Sequence, residues 1–150
     1  MRNSFKSSFV PDSGVLRVYL DSNVLFSASR EERSRFLEFW QLSNVTPVVS
    51  LYAFGEVMRN VRSSDHDARL ARLLMRTQIV SDADVRLIPA KVALAGKDQP
   101  ILAAAIAASV EYLATGDRKH FAHLYNTKVA GVRILTPGDF LNLHEDRLIG

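Results

Sequence analysis

Short apolar runs alternate along the chain with longer stretches of helical period. Residues 15–20, VLRVYL, predict a buried strand, because apolar side chains dominate a run too short for a helix and the run stops at Asp21. Residues 45–49, which include Pro47, and residues 85–88 predict a second and a third strand, and 111–115 and 131–135 a fourth and a fifth. Between them, 31–42 carry Phe36, Leu37, Phe39 and Trp40 in a helical segment, and 51–61 predict another helix. Leu70, Leu73 and Leu74 recur at helical spacing behind a cap at Ser64 or Asp65. The Ala-rich stretch 101–110 follows Asp98-Gln99-Pro100, with proline in the first turn, where its missing N–H costs little. Pro137-Gly138-Asp139 opens a last helix.

This alternation predicts an α/β fold: a central parallel sheet of about five strands, flanked by helices, because parallel neighbours need crossover connections. In such sheets ligands gather outside the carboxyl ends of the strands. Asp21 stands where the first strand ends, Asp117 follows the fourth, and Asp98 opens the helix that leads into the fourth. Each aspartate alone fits a helix N-cap, and Glu56 alone fits a solvated helix position. An N-cap, however, is served equally well by Ser, Thr or Asn. Aspartate at all three junctions, with a glutamate on a helix between them, suits a hard divalent cation that requires several ionised oxygens around one point. The chemistry that needs such a set is metal-assisted displacement at phosphorus.

Composition narrows the picture. The 150 residues, 47% hydrophobic and 23% charged, fit one domain over 1–150 with its own core, behind a polar leader at 1–14 expected to be flexible. The chain has no cysteine, which excludes a disulfide framework, a thiolate metal site and a cysteine nucleophile. No apolar run is long enough to cross a bilayer and the leader lacks the apolar centre of a signal peptide, so the expected location is cytoplasmic, with no membrane partner. A net charge of +3 permits a nucleic-acid partner without demanding one. Candidate phosphate contacts are Arg59 and Arg62 beyond Glu56, and Arg118 and Lys119 after Asp117; Arg69, Arg72 and Arg76 share a helix face. His120 and His123 lack a third imidazole or a cysteine to complete a zinc set, so packing or phosphate contact is expected of them.

The segments YLDSNVLFSA, LYAFGEVMRNV, KDQPILAAAIA, YLATGDRKHF and ILTPGDFL, in that order across residues 16–143, resemble the successive motifs of the PIN domain family. The resemblance is closest to the bacterial and archaeal members that include the VapC-like toxins. It implies a Rossmann-like PIN fold and a metal-dependent endoribonuclease that uses Mg²⁺ or Mn²⁺ and leaves 5′-phosphate and 3′-hydroxyl ends. Asp21, Glu56, Asp98 and Asp117 would be the catalytic, metal-holding quartet, with Ser22, Asn23 and Thr115 orienting carboxylates or the scissile phosphate. Arg118, Lys119, Arg59 and Arg62 would meet RNA. A toxin–antitoxin pairing and a homodimer are implied as well. Lys97 and Gln99 flank Asp98 where some relatives carry a second carboxylate, which leaves one or two ions open. Two other readings stand beside this one. The first is a non-catalytic PIN-like module that binds RNA or protein. The second is a phosphatase with Asp21 as nucleophile, which would need a second aspartate where Asn23 stands.

Overall fold

The computed structural model describes residues 15–149, and the leader expected to be flexible at 1–14 lies outside the described residues. The centre of the fold is strand β1 (Leu16–Leu20). Successive strand side chains point to opposite faces, and here both faces are buried: Val18 and Leu20 enter one core, Tyr19 the other, all at 0% exposure. This explains a run with no polar alternation at its end. β1 pairs in parallel with β2 (Val45–Ser50) on one side and with β4 (Tyr112–Ala114) on the other. Tyr19 therefore lies level with Val48 and Leu113, and Leu20 with Ala114. Beyond them lie β3 (Gln78–Val80), β6 (Val132–Leu135) and β5 (Lys128–Val129), in the order β3-β2-β1-β4-β6-β5.

Helix α1 (Ser22–Arg30), α3 (Ser64–Leu74), a 3₁₀ turn at Arg35–Trp40 and α6 (Pro137–Leu143) cover the Leu20 face, through Val24, Leu70, Phe39 and Phe140 among others. α4 (Gln99–Ala107) and α5 (Arg118–Phe121) cover the Tyr19 face, through Ile101, Leu102 and Phe121. α2 (Leu51–Met58) sends Val57 to the first core and Ala53 to the second. The chain builds outward from β1 to β2 and β3, then crosses back to place β4 on the other side of β1. That reversal makes the carboxyl ends of β1 and β4 the switch point at which ligands of doubly wound sheets bind.

At the amino end of the sheet, Arg17 is buried. Its guanidinium donates to Gln78 Oε1 through Nε (3.0 Å) and a terminal nitrogen (2.8 Å), and its other terminal nitrogen donates to the Ala108 carbonyl (2.5 Å). The Arg17 backbone N–H donates to Glu111 Oε1 at 2.8 Å.

Three local expectations change. The third strand is Gln78–Val80, paired in parallel with β2, whereas Val85–Leu87 is a 3₁₀ turn capped by Asp84. Val85 and Leu87 are exposed, so their apolar pattern reflects no burial. The helical segment of 31–42 contracts to the 3₁₀ turn at Arg35–Trp40, capped by Ser34, whose hydroxyl oxygen accepts from the Phe36 N–H at 3.2 Å, and a regular helix precedes it directly after Asp21. The cap of α3 is Ser63, whose hydroxyl accepts from the His66 N–H at 3.1 Å. Among the described residues the sheet has six strands, since β5 and β6 form an antiparallel hairpin at its edge. Its two-residue turn, Ala130-Gly131, has φ of +48° and +89°, positive at both positions as a type I′ turn requires.

Candidate metal centre

Three of the four acidic candidates arrive at the switch point on short, well-anchored connections. Asp21 leaves β1 with its N–H bonded to the Ala114 carbonyl of β4 at 3.1 Å. Its Oδ1 accepts from the Ser22 N–H (2.6 Å) and lies 3.3 Å from the Ser22 hydroxyl; its Oδ2 accepts from the Thr115 hydroxyl at 2.6 Å. Thr115 is fully buried at the end of β4, and its oxygen also accepts from the Asp117 N–H at 3.2 Å. The Tyr125 hydroxyl holds the Thr115 carbonyl at 2.7 Å. One threonine thus joins the two aspartates that follow β1 and β4.

The second link is a histidine. Asp117 caps α5 by accepting from the His120 N–H (3.2 Å), and its Oδ2 lies 2.7 Å from His120 Nδ1. An ionised carboxylate only accepts, so Nδ1 carries the proton. Asp98, in the turn that precedes α4, brings its Oδ2 to 3.2 Å from the same nitrogen. That N–H is already given to Asp117, and Asp98 Oδ2 is left without a hydrogen-bond partner although the residue is only 7% exposed. One ligand atom each from Asp98, Asp117 and His120 lies within 4.8 Å of the others.

The three aspartates divide between capping and another role. Asp21 and Asp117 do cap, but Asp98, at the N-cap of α4, makes no side-chain cap bond. A buried carboxylate oxygen with no donor costs free energy unless something positive meets it. A hard cation fits this donor set, since Mg²⁺ and Mn²⁺ favour carboxylate oxygens and tolerate imidazole.

Charge follows the same geometry. Burial pushes the Asp21 carboxyl above the ordinary carboxylate range, and the charges of Glu56 and Asp98 add to the shift, against the hydrogen bonds from Thr115 and Ser22. Burial and the Asp117 charge likewise raise Asp98, opposed by His120 and Lys97. Burial also pushes Asp117 up, but the side-chain and backbone hydrogen bonds from His120 outweigh it and hold Asp117 low. Asp117 is thereby held toward its ionised form while Asp21 and Asp98 are shifted toward protonation, a shift that a bound divalent cation would oppose by favouring the ionised forms.

Glu56 stands outside the Asp98–Asp117–His120 trio. It is half-buried on α2 and reaches the site through its charge on Asp21 and Tyr52. Together with Ser22, Asn23, Phe26, Val57, Asn60 and Arg62 it lines a cleft of about 450 Å³. Asn23 is exposed, and Gly116 packs beside its amide, 3.7 Å from where a Cβ would stand.

Arg118 and Lys119 are exposed at the start of α5, and Arg59 and Arg62 at the carboxyl end of α2. Of the arginines expected to share a helix face, Arg72 is exposed, whereas Arg69 donates to the carbonyls of Ser29 (2.8 Å) and Arg30 at the end of α1, and Arg76 to that of Trp40 (2.7 Å) at the end of the 3₁₀ turn. His123 lies 2.6 Å from the Ala93 carbonyl, a packing role. His120 is the residue sequence reasoning missed as a member of the cluster. Its signal was position alone, one helical turn after Asp117.

Fold and site define a doubly wound α/β protein with an acidic switch point. A family model described as PIN domain matches residues 17–119, more than half of the chain, and the chain belongs to the PIN domain family. A chain from the crystal structure of VapBC2 from Rickettsia felis, bound to a DNA fragment from their promoter, superposes with a TM-score of 0.57 at 16% identity, over 81% of this chain and 98% of that one. At that identity the likeness is one of fold. No curated protein matches this chain. Among the described residues no helix is long and apolar enough to cross a membrane.

Proposed function

We propose that this protein is a divalent-metal-dependent endoribonuclease acting in the cytoplasm as the toxin of a VapC-like toxin–antitoxin pair. The observation that carries the reading is the buried Oδ2 of Asp98, which accepts no hydrogen bond, inside a cluster with Asp117 and His120 at the switch point. Asp98 and Asp117 would hold Mg²⁺ or Mn²⁺, with Asp21 and Glu56 completing the acidic wall. An ion there would offset negative charge on the phosphoryl group and lower the pKa of water.

The chain's own residues supply the rest. Thr115 and Ser22 fix both oxygens of Asp21, and His120 fixes Asp117, so the carboxylates need no reorganisation when substrate arrives. The exposed cations Arg118 and Lys119 border the cluster and would take RNA phosphates, as would Arg59 and Arg62. Asp21 is 5% exposed with both oxygens engaged, which disfavours a phosphatase in which that carboxylate attacks. The likeness to VapBC2 supports an antitoxin partner, and the family resemblance a homodimer.

The test is a defined RNA oligonucleotide incubated with purified protein and Mg²⁺ or Mn²⁺. The expected result is cleavage to 5′-phosphate and 3′-hydroxyl ends, abolished by chelator and by Asp98→Asn. Undiminished cutting in chelator, or 2′,3′-cyclic phosphate ends, would overturn the reading. Intact RNA binding with no cleavage under any metal would favour the non-catalytic module.

A further inference from the structure

The cleft between α1 and α2 has a chemistry the acidic cluster does not use. Its lining holds two amides (Asn23, Asn60), one aromatic ring (Phe26), one guanidinium (Arg62) and a single aliphatic wall (Val57). It shares Ser22, Asn23 and Glu56 with the candidate metal centre, so whatever occupies it lies beside that centre. An amphipathic protein helix would require a wider apolar floor. A splayed nucleobase requires an aromatic surface and a few fixed amide groups, the recognition mode of single-stranded RNA. At about 450 Å³ the cleft falls within the range of small-molecule pockets.

We infer that this cleft takes one base of a single-stranded RNA next to the cut, with Asn60 reading its edge and Phe26 supplying the stacking surface. The inference rests on the ribonuclease reading and adds specificity to it. Asn60 Nδ2 donates to the Glu56 carbonyl at 3.0 Å, which fixes the orientation of the amide. Among the described residues no donor meets its Oδ1, which stays an acceptor for an N–H on the base. Arg62 is anchored by one terminal nitrogen on the Arg59 (2.7 Å) and Val61 (3.2 Å) carbonyls, leaving its other N–H groups for the adjoining phosphate. Phosphate contacts position without reading sequence, so the two side chains should fail in different ways when removed.

The experiment measures binding rather than cutting. Full-length Asp98→Asn protein, silenced for cleavage, is titrated with single-stranded oligo(A), oligo(C) and oligo(U) of equal length at one salt concentration. Unequal affinities are expected. Asn60→Ala in the same background should weaken the preferred oligonucleotide about 3- to 10-fold, the value of one hydrogen bond, and the others less. Arg62→Ala should weaken all three alike. Asn60→Asp, equal in shape, should change the order of preference, and an unchanged melting temperature separates a lost contact from a lost fold. RNA binding with no preference, or an Asn60→Ala loss equal for all three, overturns the base subsite while leaving the ribonuclease reading standing. No RNA binding at all overturns both.

Discussion

At the scale of the residue, Asp98 is a buried carboxyl whose Oδ2 accepts no hydrogen bond. Burial and the Asp117 charge raise its pKa, so the folded state binds a proton there more readily than the unfolded chain does. The sign follows: the charged carboxylate opposes folding at neutral pH, and the opposition fades as pH falls through the raised pKa. In metal-free protein, Asp98→Asn should therefore raise the melting temperature at pH 7.5 by roughly 2–4 °C, equivalent to about 1 kcal/mol for a chain of this size. Differential scanning calorimetry at pH 7.5 and pH 4.5 should show the gain shrinking at the lower pH. Millimolar Mn²⁺ should stabilise the wild type and leave Asp98→Asn unmoved, because ligands that bind only the native state shift its stability by mass action. An equal shift in both proteins would place any ion elsewhere. Thr115→Val should lower cleavage by about tenfold or more while the fold survives, because the methyl is isosteric with the hydroxyl that fixes Asp21 at 2.6 Å.

At the scale of the element, the α1–α3 contact contains a buried histidine. His66 is 4% exposed, its Nε2 lies 2.8 Å from Ser29 Oγ, and its ring meets Phe26 edge-on at 4.9 Å. Ser29 Oγ donates to the Leu25 carbonyl (2.9 Å), so the histidine donates to it through Nε2. Burial lowers its pKa, and the charges of Arg69 and Arg30 lower it further. For a depressed histidine the stabilising contribution is complete above the unfolded value of about 6.5 and is lost as pH falls toward the folded value. Urea unfolding at pH 7.5 and pH 5.5 should thus show a loss of stability at the lower pH that is smaller in His66→Gln. A second element is the β5–β6 hairpin. Ala130 adopts φ of +48°, a region that costs an alanine about 1 kcal/mol and an asparagine less. Ala130→Asn should stabilise by roughly 0.5–1 kcal/mol, read as a higher urea midpoint at an unchanged slope.

At the scale of the whole molecule, what could be seen in the sequence was whatever is buried on both faces. β1, β2, β4 and β6 appear as apolar runs because helices cover both sides of them, and the junction aspartates follow from where those runs stop. β3 escaped because an edge strand of three residues, with Ile79 exposed, carries no burial signature, and residues 85–88 imitated one. The helix directly after Asp21 was legible only through the capping reading of that aspartate, since its first turn, Ser22-Asn23, is polar. Asp21, Thr115 and Asp117 lie together as their strand ends suggested. His120 was not legible, since its partnership with Asp98 joins α5 to the turn before α4, and no local pattern records that crossing.

The buried guanidinium at the far end of the sheet has an evolutionary consequence. Arg17 depends on Gln78 Oε1 for two of its hydrogen bonds, and burial already depresses its pKa despite the Glu111 charge. Changing Gln78 alone would remove two acceptors from a buried guanidinium, and changing Arg17 alone would take both donors from the Gln78 amide oxygen. A double-mutant cycle of Arg17→Met and Gln78→Leu should return a coupling of about 0.5–3 kcal/mol, with the pair less damaging than the sum of the singles. Homologous lineages crossing from one solution to the other would pass through a less stable intermediate. Position 17 and position 78, 61 apart in the chain, should therefore drift as a linked pair, arginine with glutamine or apolar with apolar, long after the residues around them have diverged.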